Sequence, residues 1–167
     1  HTDVGGISFD VSIVEKGEGL TTRDHELEWE VPVAVPMLDI HSVGAGGGSI
    51  GWVDEGGSLR MGPQSAGSTP GPACYGRGGT EPTITDANLV LGRLNPSLSD
   101  KFELDKAAAE AAIDRLAEKI GLSRLETADR MVQISCETMA QAVKGVVVAT
   151  ARLPRPFVVP TFGRSVP

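Results

Sequence analysis

The sequence predicts a mixed α/β fold in which strands come first and helices follow. Three observations carry this. Near the start, Val4, Phe9, Val11 and Ile13 alternate with small or polar partners, the period-2 pattern of a half-buried strand. In the middle, from Gly44 to Pro82, glycine and proline are dense. After residue 83, apolar residues recur at helical spacing between capping signals. Strands then helices in a chain of 167 residues describe a layered α/β unit, either one domain or a slice of a larger one.

The elements can be taken in order. Residues 3–15 read as a strand, which Gly5-Gly6 interrupts with a bend or a close backbone approach. Lys16-Gly-Glu-Gly19 is a turn, and Thr21 to Trp29 is the expected return strand of a hairpin. Pro32 and Pro36 make the next segment extended or edge-like, and Met37 to Ile40 reads as a buried strand. Ile50–Val53 and Ser58–Met61 are short strands, and Gly62 to Pro82 is a long loop without periodicity. Thr85 to Arg93 predicts a short helix with Asp86 in its first turn. Asp105 caps an alanine-rich helix with Ile113, Leu116 and Ile120 on one face, and Gly121 stops it. Ser123-Arg-Leu-Glu126 is a capping box. It opens a second helix with Ala128, Met131, Val132, Ser135, Met139, Ala142 and Val143 on its apolar face.

Composition excludes several classes. Apolar residues are 40% and charged residues 22%, which fits neither a disordered tail nor a coiled-coil rod. No apolar run approaches the ~20 residues that cross a bilayer, so no membrane partner is expected. His1-Thr-Asp-Val-Gly-Gly lacks the basic start and apolar core of a signal peptide. A net charge of -7 argues against nucleic acid as a partner, but not against phosphate held by backbone N–H groups. Cys74 and Cys136 make neither a disulfide framework nor a zinc knuckle, so the expected setting is reduced and cytoplasmic. From Lys144 onward there are four basic residues and no acid, a break in composition.

Four constellations bear chemistry. Asp3-Val-Gly-Gly-Ile-Ser-Phe-Asp10 sets two acids around a Gly-Gly pair. Glycines let N–H groups approach phosphate, and a carboxylate beside them holds Mg²⁺ through water; a plain hairpin with solvated acids is the other reading. Gly44 to Gly51 matches, by letter, both a dinucleotide fingerprint and a nucleophile elbow at Ser49. Each needs a helix next, where Trp52-Val-Asp-Glu-Gly-Gly57 reads as strand and turn, and the elbow needs a later histidine. The histidines are His1, His25 and His41, all earlier, so what remains is an anion nest from Gly46, Gly47, Gly48 and Ser49. Asp39 and His41, two apart on a strand, share a face and suit one metal or one proton, or simply bond each other at a strand end. Finally, Gly71 to Asp86 carries Cys74 as a nucleophile or a buried apolar residue, and Arg77 as an anion clamp or a loop staple.

Pro36-Met-Leu-Asp-Ile-His-Ser-Val-Gly-Ala-Gly-Gly-Gly-Ser49, Gly62-Pro-Gln-Ser-Ala-Gly67 and the run from Gly71 to Leu94 closely resemble the hydantoinase A/5-oxoprolinase family. The resemblance covers residues 3 to about 145. It implies a ribonuclease-H-like lobe of the actin/Hsp70/sugar-kinase superfamily, here incomplete: residues 1–150 a partial domain and 151–167 an atypical tail. It implies ATP, with Mg²⁺ or another divalent metal, and phosphorylation of the carbonyl oxygen of a lactam, imide or ketone. It implies a hydantoinase B-like subunit or domain as partner. On this reading Asp3 and Asp10 are catalytic, Gly5, Gly6, Ser8 and Gly46 to Ser49 bind the nucleotide, and Asp39 and His41 bind a metal or orient the substrate.

The chain departs from the family in three places. Ile7 stands where members have threonine, the first phosphate hairpin is missing, and Arg164 and Val166 replace two glycines of an FxxxxFGGAGP-like segment. The expectation is therefore a fragment of an ATP-dependent amidohydrolase, inactive in isolation. The competing expectations are a non-catalytic truncated relative that docks a hydantoinase B-like partner, and a nucleotide binder without turnover.

Overall fold

The computed structural model describes residues 1–22, 25–27, 31–33, 35–99, 102–150 and 160–163. The strands, in chain order, are β1 (Thr2–Val4), β2 (Phe9–Ser12), β3 (Val14–Glu15), β4 (Glu18–Gly19), β5 (Thr21–Thr22), β6 (His25–Leu27), β7 (Val31–Val33), β8 (Met37–Leu38), β9 (Ile40–Val43), β10 (Ser49–Val53), β11 (Leu59–Ser65), β12 (Ser97–Ser99), β13 (Phe102–Glu103) and β14 (Thr161–Phe162). The α-helices are α1 (Ile84–Val90), α2 (Lys106–Ile120) and α3 (Arg124–Ala149). Strands dominate before residue 66 and helices after it, as the periodicities predict.

The single strand expected over residues 3–15 is a hairpin and a half. Gly5-Gly-Ile-Ser8 reverses the chain, so that β1 and β2 pair antiparallel with Asp3 opposite Asp10 and Val4 opposite Phe9. Lys16 and Gly17 both have positive φ, 54° and 87°, the two-residue turn that suits a twisted hairpin between β3 and β4. The return strand expected over Thr21–Trp29 is split. β5 pairs with β8 and β6 with β7, and residues 23, 24 and 28–30 lie outside the described set. β9 pairs antiparallel with β2, and β14 pairs parallel with β1, giving a mixed sheet in the order β14-β1-β2-β9. Of the tail, Pro160 to Gly163 is described; Arg164 and Val166 lie outside.

Met37 to Ile40 is extended as expected but not buried: Met37, Leu38 and Ile40 are 39%, 57% and 47% exposed. The apolar run encodes the strand, but burial needs a second layer: Met37 and Leu38 lie in the separate two-stranded β5-β8 pair, and Ile40 sits on the face of the four-stranded sheet away from α3. Alternation puts Phe9 and Val11 toward α3, where they join Val4, Ile13, Met139 and Val146 in one core cluster. The face bearing Asp3, Ile40 and Ser42 is exposed.

α2 and α3 form where their caps predict, whereas α1, expected over Thr85–Arg93, runs Ile84–Val90 behind a Thr83 cap. Asp105 accepts the Ala108 N–H, and Gly121 closes α2 in the left-handed conformation at φ 69°. Ser123 and Glu126 form the reciprocal capping box of α3. Arg124 donates to both oxygens of Asp114, at 2.7 and 2.5 Å, fixing the corner between α2 and α3 and holding the Asp114 carboxyl below its ordinary range. At 26 residues, α3 is about 39 Å long. Its Met131 and Val132 pack with Leu89 of α1 and Ile113 and Leu116 of α2, while Met139 and Val146 pack under the sheet. One helix thus ties the sheet to the helical layer.

Candidate functional site

The hairpin tip sits on the glycine loop. Gly47 N–H donates to the Gly5 carbonyl at 3.0 Å and Gly48 N–H to the Gly6 carbonyl at 2.7 Å. A Cβ on Gly46 would lie 2.6 Å from the Ile7 nitrogen and 2.7 Å from the Gly6 carbonyl carbon. Only glycine lets these two backbones meet. Two segments forty residues apart in sequence are therefore locked backbone to backbone.

This contact decides which N–H groups are free. Those of the loop are all engaged within the chain: Gly46 to the Ser49 hydroxyl, Gly47 to Gly5, Gly48 to Gly6, and Ser49 to the Gly46 carbonyl. The loop that the sequence suggests as an anion nest is here a seat for the hairpin. At the tip, by contrast, the Gly6, Ile7 and Ser8 N–H groups have no partner among the described residues, and Ile7 is 61% exposed. Three successive unpartnered N–H groups at an exposed turn suit an anion.

Asp3 and Asp10, directly opposite in register, share a face of the sheet beside this tip. Asp10 accepts from the Ser8 hydroxyl at 3.1 Å and from the Ser42 hydroxyl. Ser42 was not singled out by the sequence; its signal was the alternation that sets it opposite Asp10 in β9. His41 lies opposite Val11, on the face toward α3, and its Nε2 is 3.1 Å from Asp39 Oδ1. The structure therefore brings Asp39 and His41 to each other but not to Asp3 and Asp10. Among the described residues no group of three or more His, Cys, Asp or Glu gathers that could hold a metal.

Glycine 47 is held from behind by α1. The Thr85 N–H and hydroxyl both donate to the Gly47 carbonyl at 2.9 Å. Asp86, fully buried, is the other organiser. Its carboxylate accepts from Ala73 N–H at 3.2 Å, Cys74 N–H at 2.8 Å, Thr83 N–H at 2.9 Å and the Thr83 hydroxyl at 2.7 Å. Arg115 donates to the Thr80 carbonyl, and Asp105 N–H to the Cys74 carbonyl at 2.8 Å. The aperiodic stretch up to Pro82 is thus pinned at several points, although its first residues, 62–65, extend β11.

Of the two readings of Cys74, the structure supports the buried one. Its side chain is fully enclosed, and burial, reinforced by the Asp86 carboxylate, pushes the thiol well above its ordinary range. Cys136 is exposed. A thiol reagent should therefore label the native chain once, at Cys136, and a second time only after unfolding. Two fast labels on the native chain would contradict this packing. Arg77 donates to the Ser68 carbonyl at 3.5 Å and lies over Tyr75, 5.8 Å from the ring centre, as a loop staple does.

The fold and the hairpin define an α/β unit whose exposed hairpin tip carries three N–H groups unpartnered among the described residues, with Asp3 and Asp10 on the adjoining sheet face. The chain belongs to the hydantoinase/oxoprolinase family, whose profile matches residues 1–164. It is similar to the acetophenone carboxylase gamma subunit of Aromatoleum aromaticum, 44% identical over 99% of this chain and 23% of that one. It is also similar to the caprolactamase alpha subunit of Pseudomonas jessenii, 39% identical over 93% of this chain and 23% of that one. The solved structure of nucleotide-free acetone carboxylase superposes with a TM-score of 0.80 at 29% identity, covering 92% of this chain and 22% of that chain. The chain spans about a quarter of the length of these relatives.

Proposed function

We propose that this chain is the part of an ATP-dependent enzyme that grips the nucleotide's phosphates while a lactam, imide or ketone carbonyl is activated by phosphorylation. The observation that carries this is the hairpin tip: three consecutive N–H groups without partners among the described residues, on a turn locked by a glycine seat, with Asp3 and Asp10 beside it. The solved relatives are an ATP-dependent acetone-carboxylating enzyme and an ATP-dependent caprolactamase, which favours the same nucleotide here. The mixed sheet of antiparallel β9-β2-β1 with parallel β14 supports a ribonuclease-H-like lobe.

The residues fit the groups this reading needs. A lactam carbonyl is a poor electrophile, and transfer of a phosphoryl group to its oxygen creates a good leaving group. The Gly6, Ile7 and Ser8 N–H groups offer fixed dipoles to the spread negative charge, at no cost of reorganisation. Mg²⁺, when bound, would neutralise charge between the phosphates. Asp3 and Asp10 are the carboxylates placed to hold it through water, since both Asp10 oxygens already accept from Ser8 and Ser42. Ile7 in place of a hydroxyl residue leaves this grip to the backbone. The named relatives are subunits, which favours a companion subunit here; on this reading the companion is a hydantoinase B-like subunit or domain and the setting is cytoplasmic.

The test is an amide-resolved NMR titration with Mg-ATP into the millimolar range. The Gly6, Ile7 and Ser8 amides should shift and saturate, and Asp10→Asn should weaken the apparent affinity roughly tenfold. If those amides stay still in a folded chain, or if Asp10→Asn binds as wild type does, the proposal fails.

A further inference from the structure

Two hydrogen-bonded lines run through the glycine seat and end at the hairpin tip. In the first, the Thr85 N–H and hydroxyl donate to the Gly47 carbonyl, each at 2.9 Å. The far end of that peptide group is the Gly48 N–H, which donates to the Gly6 carbonyl at 2.7 Å. The far end of that second peptide is the Ile7 N–H, unpartnered among the described residues. In the second line, Ser49 N–H donates to the Gly46 carbonyl at 3.0 Å and Gly47 N–H to the Gly5 carbonyl at 3.0 Å. That line ends at the Gly6 N–H.

Geometry gives these lines a direction. In a trans peptide the carbonyl and the N–H point opposite ways, and the cis bonds of the described chain lie elsewhere, at Gly62-Pro63 and Thr69-Pro70. The peptide dipoles of each line therefore align head to tail, with the positive ends at the Ile7 and Gly6 N–H groups. Hydrogen bonds in such a series polarise one another. The first line starts on a side chain. The Thr85 N–H belongs to the first turn of α1, where backbone donors lack helical partners, so its bond to Gly47 satisfies a local need. The hydroxyl adds a second donor to the same oxygen and occupies its remaining lone pair. Thr85 is 8% exposed, so water does not compete for that oxygen as it would at the surface.

We infer that Thr85 is a positioning residue of the phosphate hairpin: by holding the Gly47 peptide with two donors it aims and polarises the Ile7 N–H, some forty residues distant from it in sequence space at Gly47 and farther at Ile7 itself. This rests on the phosphate reading of the tip. Thr85 does not touch the phosphate; it acts through two peptide groups. Its hydroxyl is the one side-chain donor in the line, so the strength of the grip is adjustable at a position remote from the ligand.

The experiment uses the full chain and three sequences: wild type, Thr85→Val and Thr85→Ser. Valine keeps the shape and the N–H bond but removes the hydroxyl, and serine restores it. In the free chain the Gly48 and Ile7 amide protons should move upfield in Thr85→Val and return in Thr85→Ser, the rest of the amide spectrum reporting an intact fold. With Mg-ATP as the probe, Thr85→Val should bind about threefold to tenfold more weakly than wild type, and Thr85→Ser within about twofold of it. A loss of affinity that serine does not rescue, or unchanged affinity in Thr85→Val, overturns the inference while leaving the phosphate reading standing. Wild-type chain whose tip amides ignore Mg-ATP overturns the phosphate reading and the inference with it.

Discussion

Gly46→Ala should destabilise the chain by about 3 kcal/mol, the upper range for forcing atoms into a filled space. The added Cβ would meet the Ile7 nitrogen at 2.6 Å and the carbonyl carbons of Gly6 and Ile7 at 2.7 Å. These are backbone atoms on both sides, so no side-chain rotation relieves the clash. The hairpin must lift, and the bonds from Gly47 to Gly5 and from Gly48 to Gly6 lift with it. Denaturant midpoints measure the effect. Gly6→Ala is the control: no atom lies within 4 Å of its ideal Cβ, so its stability should stay within about 0.5 kcal/mol of wild type. Equal midpoints for Gly46→Ala and wild type would show that the two backbones do not meet in solution.

Asp86→Ala should cost about 4 kcal/mol, because it strands buried donors rather than merely deleting a contact. Without the carboxylate, the N–H groups of Ala73, Cys74 and Thr83 lose their acceptor inside the protein. The α1 capping box loses its reciprocal half at the same time. A loss under about 1 kcal/mol would mean that water reaches these donors and that the pinned loop is open. The same variant should let a thiol reagent reach Cys74 before global unfolding, since the Cys74 N–H bond to Asp86 is one of its anchors.

The local rules were enough for the helices and too little for the site. Asp105, Gly121, Ser123 and Glu126 act on neighbours within one turn, so the bounds of α2 and α3 were legible from letters alone. The exposure of Met37 to Ile40 was not, because hydrophobicity specifies a strand whereas a second layer must cover it. Asp86 could be placed in a first turn, but its hold on Ala73 and Cys74 is a tertiary fact. The glycines around residue 46 were visible, yet an absent side chain does not say what approaches it. An anion above and a peptide below leave the same trace in the letters, and here the peptide of Ile7 is the neighbour. Thr85 was legible only as the start of a short helix inside the Gly71–Leu94 run, since its partner is a carbonyl.

The outward strip of Val35, Met37, Leu38 and Ile40 bears on how this polypeptide behaves in a crowded solution. β9 is an outer strand of its sheet among the described residues, and Ile40 opens it. An uncovered border with apolar side chains is a template onto which another extended segment can add. Asp39 and His41, interleaved with that strip, act as gatekeepers: an incoming strand must desolvate a close carboxylate–imidazole pair to lie down. The net charge of -7 keeps copies apart at low ionic strength, and added salt removes that protection. Colloidal stability of the segment therefore depends on charge rather than on cover.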